Sequence, residues 1–70
     1  MKFPCVGKQD IVVINFLYQN HHIVSVSVYA PNQLLYASNR MDEQTDKDLM
    51  MIRQQYKVEE VVTKLDMNQL

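Results

Sequence analysis

The chain has one glycine, one cysteine and no tryptophan in 70 residues. Gly7 alone cannot build a glycine-rich phosphate cradle, so that class of nucleotide site is excluded. Cys5 alone cannot close an internal disulfide, which fits a reducing compartment. Basic residues are few and dispersed: Lys2, Lys8, Arg40, Lys47, Arg53, Lys57 and Lys64, against a net charge of −1. A clustered basic footprint for nucleic acid is therefore missing. No apolar run approaches the roughly 20 residues of a membrane-spanning helix. Met1 to Val6 is too short for a signal peptide, and Cys5 lacks the preceding apolar stretch that lipid attachment needs. A cytoplasmic chain is the expectation. Repeats, linkers and low-complexity segments are also lacking. A chain this short makes one domain, residues 1–70, which buries a small fraction of its surface and is marginal by itself. Dimerisation is a common remedy.

What is present begins at Ile11. Residues 11–38 read IVVINFLYQNHHIVSVSVYAPNQLLYAS, three strand-like runs broken by two turn clusters. A β-meander is expected. The first run is β-branched and aromatic, as strands favour. Val12, Ile14, Phe16 and Tyr18 share one face; Ile11, Val13, Asn15 and Leu17 share the other. Both faces are mostly apolar, which predicts a central place in the sheet or cover on two sides. In the second run Val24, Val26, Val28 and Ala30 alternate with Ile23, Ser25, Ser27 and Tyr29, so one side should be buried and one wet. Ala30-Pro31-Asn32-Gln33 predicts a tight turn, because Pro31 presets φ and Asn32 tolerates the second corner. A simple two-residue loop then sets Val28 opposite Leu35, Val26 opposite Ala37, Ser27 opposite Tyr36 and Ser25 opposite Ser38. The turn at Gln19-Asn20-His21-His22 closes with an even or an odd loop, and a one-residue slip inverts every side chain. The odd register is preferred, because it sets Val12, Ile14 and Phe16 beside the valines and Asn15 beside the serines.

After Ser38 the composition changes. Asp42 to Asp48 is acidic and precedes an apolar-periodic stretch. Thr45 and Asp48 have capping-box spacing, with Asp42 as a competing cap, and acids suit the positive end of a helix dipole. A helix over 42–56 follows, with Leu49, Ile52 and Tyr56 on one stripe and Thr45 a turn earlier. Val58, Val61, Val62 and Leu65 lie roughly opposite that stripe at 100° per residue, so a break near Lys57 is predicted. Beyond it, valine and threonine favour a fourth strand over 60–67, with a short second helix as the alternative. Residues 1–10 are a lead-in interrupted by Pro4 and Gly7. The fold class is α+β: a small antiparallel sheet, β-β-β-α-β, with one helix on one face.

The chemistry-bearing residues form no constellation. Cys5 lacks a base at a recognisable spacing and suits a small apolar filler. His21 and His22 are adjacent in a turn and point apart, and zinc wants about four ligands. The acidic run resembles a calcium loop only in its carboxylates, since the glycine of the sharp turn is missing. No catalytic residue, metal or cofactor is assigned, and no small-molecule substrate is implied. The informative feature is a mismatch: one helix cannot cover two apolar sheet faces. The uncovered face is expected to carry Ile11, Val13, Leu17, Ile23, Tyr29, Leu34 and Tyr36 with Ser25, Ser27 and Ser38. A patch of this kind marks an interaction site. The candidate partner-binding residues are Ile23, Ser25, Ser27, Tyr29, Leu34 and Tyr36, joined by Met50 and Met51 on the helix.

Three functional classes follow. The first is a non-enzymatic module that occupies a partner protein's surface: an inhibitor, adaptor or regulatory subunit of the sort that phages and mobile elements encode, and a homodimer. The second is a nucleic-acid-binding regulator that stacks bases on sheet tyrosines, or an acidic mimic of nucleic acid. The dispersed charge counts against it. The third is a small enzyme, which lacks a paired acid and base at a defined spacing.

Overall fold

The computed structural model describes residues 10–65, so the expected lead-in, Asp10 aside, and the last two residues of the expected fourth strand lie outside the described residues. Five elements follow one another: β1 (Ile11–Gln19), β2 (His22–Ala30), β3 (Gln33–Ser38), α1 (Glu43–Gln55) and β4 (Lys57–Lys64). They build a four-stranded sheet in the order β3-β2-β1-β4 with α1 on one face. The α+β class and the β-β-β-α-β order are those expected. The sheet is mixed, however, because β4 runs parallel to β1. Direction explains this. The two hairpins leave β3 parallel to β1, and α1 carries the chain back, so the next strand re-enters in the direction of β1.

Each hairpin closes on a two-residue turn and then slips by one residue. Asn20 and His21 have φ of 54° and 70°. Positive φ at both corners is the hairpin geometry whose twist matches the strands, and Asn and His enter that region more readily than most residues. Gln19 pairs with His22 and Tyr18 with Ile23 across this even loop, but Leu17 pairs with Ser25. A bulge at Val24 absorbs the extra residue and restores the odd register. Ile14 then faces Val28, Phe16 faces Val26, and Asn15 faces Ser27, as the polarity of strand one predicts. The second hairpin repeats the device. Ala30 pairs with Gln33 and Tyr29 with Leu34, after which Val28 pairs with Tyr36, Ser27 with Ala37 and Val26 with Ser38. The expected pairings of Val28 with Leu35 and Ser27 with Tyr36 are therefore corrected. Register slipped because Tyr36 and Ser38 have polar partners on the helix side.

The core lies between the helix and the middle strands. Val12, Ile14, Val26, Val28, Leu49 and Ile52 are buried, and Phe16, Leu35, Tyr36, Tyr56 and Val58 pack around them. Burying an Ile or Leu side chain contributes about 1.5–3 kcal/mol, so this small set carries most of the hydrophobic stabilisation. The helical stripe is Thr45, Asp48, Leu49 and Ile52. Asp42, not Thr45, is the N-cap: its carboxylate accepts from the Thr45 amide at 3.0 Å. Thr45 is buried, and its hydroxyl donates to the Arg40 carbonyl instead. At the other end Tyr56 turns extended, and its amide still donates to the Ile52 carbonyl at 3.1 Å. β4 then starts at Lys57 with no loop, three residues before the expected Glu60.

Candidate functional site

Strand alternation assigns the two faces. The helix side takes Val12, Ile14 and Phe16 from β1 and Val58, Glu60, Val62 and Lys64 from β4. The opposite face is open. Its rows follow from the pairings: Leu34, Tyr29, Val13 and Glu59 across one line; Ala37, Ser27, Asn15 and Val61 across the next; then Ser25, Leu17 and Thr63. Ile11 and Lys57 close the end where β1 begins. The face is apolar at that end and polar at its centre. Ile11 is 51%, Tyr29 43%, Leu34 56% and Val61 38% exposed, while Val13 and Leu17 are half-buried. At the centre the Thr63 hydroxyl donates to Asn15 Oδ1 at 2.9 Å, tying β4 to β1 on this side.

The eight candidate contact residues divide. Ser25, Ser27, Tyr29 and Leu34 share the open face. Ile23 and Tyr36 do not. The bulge at Val24 sets Ile23 opposite Tyr18, and the bulge at Leu35 sets Tyr36 opposite Val28 on the helix side. Met50 is 57% exposed and Met51 half-buried, both on α1 and so on the other side of the sheet. One continuous surface cannot hold all eight. Val61 and Thr63 belong to the open face beside Asn15 and escaped sequence reasoning. The parallel register of β4, which places them there, has no local signal.

Tyr36 instead anchors a polar cluster that locks α1 onto β3. Its hydroxyl donates to Asp48 Oδ2 at 2.8 Å, and Gln44 donates to Asp48 Oδ1 at 3.1 Å. Asp48 is only 5% exposed. Burial and the neighbouring Asp48 carboxylate raise the Tyr36 pKa above its ordinary 10.0. Beside this pair, the Ser38 and Thr45 hydroxyls lie 3.0 Å apart, and the Arg40 amide donates to Ser38 Oγ at 3.2 Å. No buried polar side chain among the described residues is left without a partner. The cluster is thus closed, with its acceptors and donors spent on one another.

The acidic run is largely consumed by the helix. Asp42 caps it, and the Thr45 backbone hydrogen bond holds its carboxyl below the usual range. Asp48 is buried against Tyr36. Glu43 and Asp46 remain exposed in the first turn. His22 Nδ1 donates to the Asn20 carbonyl at 2.9 Å within the exposed turn. Among the described residues no three His, Cys, Asp or Glu side chains converge on a metal position. No helix of the described residues is long and apolar enough to cross a membrane. Compared with protein-family models, curated proteins and solved structures, the chain matches none.

Proposed function

We propose that the chain is a non-enzymatic protein-binding module that occupies a partner protein's surface through its open sheet face. One observation carries the reading: the helix covers a single side, and the bare side groups Ile11, Val13, Tyr29 and Leu34 at one end with Ser25, Ser27 and Asn15 beside them. Tyrosine supplies rigid amphipathic contact area, serine and asparagine supply adaptable hydrogen bonds, and exposed aliphatics supply anchors. An inhibitor, adaptor or regulatory subunit working in the cytoplasm fits such a surface. A base-stacking reader of nucleic acid is less well supported, since Tyr36 faces Asp48 and Tyr29 is left as the aromatic platform of this face.

The experiment is affinity capture from the native cell extract with wild type, Tyr29→Glu and Leu34→Lys. A stoichiometric protein partner is expected with wild type, sharply reduced in both variants. Ser25→Ala should retain it, because hot spots favour large buried anchors. Undiminished capture by Tyr29→Glu and Leu34→Lys, with folding intact by circular dichroism, would falsify the assignment of the face. Recovery of nucleic acid in place of protein would move the chain to the second class.

A further inference from the structure

We propose that β4 pairs edge to edge with β4 of a second copy, antiparallel, with Val62 opposite Val62 on the two-fold axis. This goes beyond the protein-binding reading and does not depend on it: edge pairing leaves both open faces free and joins them into one.

Three observations converge on β4. First, it is a sheet edge of eight residues, KVEEVVTK, without proline, glycine or a bulge. Long flat edges of this kind template further strands. Second, exposed apolar side chains gather on and beside it: Val61 at 38%, Val62 at 56% and Leu65 at 42%. Third, its backbone parity and its charges select one register for a second copy of itself.

Parity comes from the parallel ladder. The Leu65 amide donates to the Tyr18 carbonyl at 2.8 Å. In a parallel pair alternate residues turn both backbone groups to the neighbour. Val61, Thr63 and Leu65 therefore bond toward β1, and Val58, Glu60, Val62 and Lys64 turn their N–H and C=O outward. A symmetric antiparallel pair must match outward residues with outward residues. Centring on Glu60 sets two carboxylates face to face. Centring on Val61 sets Glu60 against Val62 and Lys64 against Val58, with no charge paired. Centring on Val62 sets Glu60 of each copy opposite Lys64 of the other, and Val61 opposite Thr63. Cross-strand pairs of opposite charge stabilise and like pairs destabilise, which selects the last.

The side chains are already prepared for it. Glu60 is held by Arg53 through two contacts of 2.8 Å. Lys64 lies 5.7 Å from the Tyr18 ring centroid and has no carboxylate partner among the described residues. In the pair each Glu60 gains a second cation and each Lys64 a carboxylate. Glu59 to Leu65 pairs wholly with itself, through six backbone hydrogen bonds from Glu60, Val62 and Lys64 of the two strands. Both helices lie on one side of the resulting continuous sheet.

The test uses the full chain and sedimentation equilibrium. Wild type is expected at twice its 8.3 kDa chain mass. Val62→Pro removes an outward N–H that the chain's own ladder does not use, so the fold should survive. It should raise the dimer dissociation constant about tenfold or more, as two central bonds are lost. Val62→Lys is the second variant should the proline unfold the chain, and it should act in the same direction by opposing two ammonium groups. Tyr29→Glu should keep the dimer mass. In a Cys5→Ser background, Val62→Cys should cross-link under mild oxidation. Glu59→Cys, about 20 Å from its mate in this register, should not. A wild type that stays at its chain mass at high concentration overturns the proposal. So does a Val62→Lys dimer as tight as wild type, or a dimer dispersed by Tyr29→Glu alone, which would assign self-association to the open face.

Discussion

Tyr36→Phe removes one hydroxyl and tests the bulged register of the second hairpin. In the observed register that hydroxyl donates to Asp48 at 2.8 Å, where the carboxylate is 5% exposed. Removing it leaves Gln44 as the remaining side-chain donor, among the described residues, to a nearly buried charge. Hydrogen bonds to charged groups contribute about 1.5–3 kcal/mol, and Tyr36 is only half-buried, so a loss of about 2 kcal/mol is expected. For a domain of this size that lowers the melting temperature by about 8–16 °C. The double variant Tyr36→Phe with Asp48→Leu should be more stable than Tyr36→Phe alone, because removing both partners leaves no uncompensated charge. The pH dependence has a definite sign. Folding raises the Tyr36 pKa, through burial first and Asp48 second. The folded state thus favours the protonated phenol; this stability is complete below pH 10 and is lost as pH climbs through the folded pKa. Tyr36→Phe should flatten the alkaline limb. The assay is urea unfolding followed by circular dichroism from pH 7 to 11. A cost below about 0.5 kcal/mol with an unchanged alkaline limb would refute the reasoning, since it would place Tyr36 on the open face, where the unbulged register puts it.

His21→Gly should stabilise the fold by about 0.5–1 kcal/mol in urea unfolding, because His21 sits at φ 70° and glycine enters that region without a Cβ penalty; a destabilised variant would contradict the turn geometry. Asp42→Ala should lower helix content at neutral pH and weaken the acid limb of stability. The Asp42 pKa is depressed by the Thr45 amide, so its contribution is present above about pH 4 and lost as pH falls through the folded value; an acid titration by circular dichroism that matches wild type would count against Asp42 as the cap. Tyr29→Glu should lose partner capture while keeping the fold, and Val62→Pro should weaken self-association while keeping partner capture.

The elements were legible because their signals are local. β-branched runs give β1 and β2, the acidic start and the Leu49–Ile52 stripe give α1, and the phase change at Lys57 gives the break. The preferred register of β1 was legible too, since Asn15 is the polar residue of an apolar strand and had to meet Ser27. The slip in the second hairpin was not. Leu35 and Tyr36 are both apolar enough for either face, and the arbiter is a buried Asp48 contributed by a helix twelve residues later. Nothing around Tyr36 announces that partner. The same event took Tyr36 off the candidate surface, and the bulge at Val24 took Ile23. The direction of β4 was illegible for a related reason: it depends on how many times the chain has already reversed, a property of the whole path.

The path of the helix decides which surfaces are left bare. At 13 residues α1 is about 20 Å long, whereas the nine residues of β1 span about 30 Å. The helix therefore covers the half of the sheet around Val12, Ile14, Val26 and Val28, all four of which are buried. Beyond Phe16 the cover ends. Tyr18 is half-buried, and Val62 and Lys64 are exposed on the same side as the helix. Val62 is thus bare because the first turn of α1 lies over β3 in that row, where Thr45 meets Ser38, and Tyr29 and Leu34 are bare because the helix is on the other face. The two exposures have different causes and can be relieved independently. A partner seated on Tyr29 and Leu34 would leave the β4 edge free to find its own mate. Partner capture and self-association should therefore respond to separate substitutions, and a variant at either site that abolishes both while the fold holds would join them into one surface.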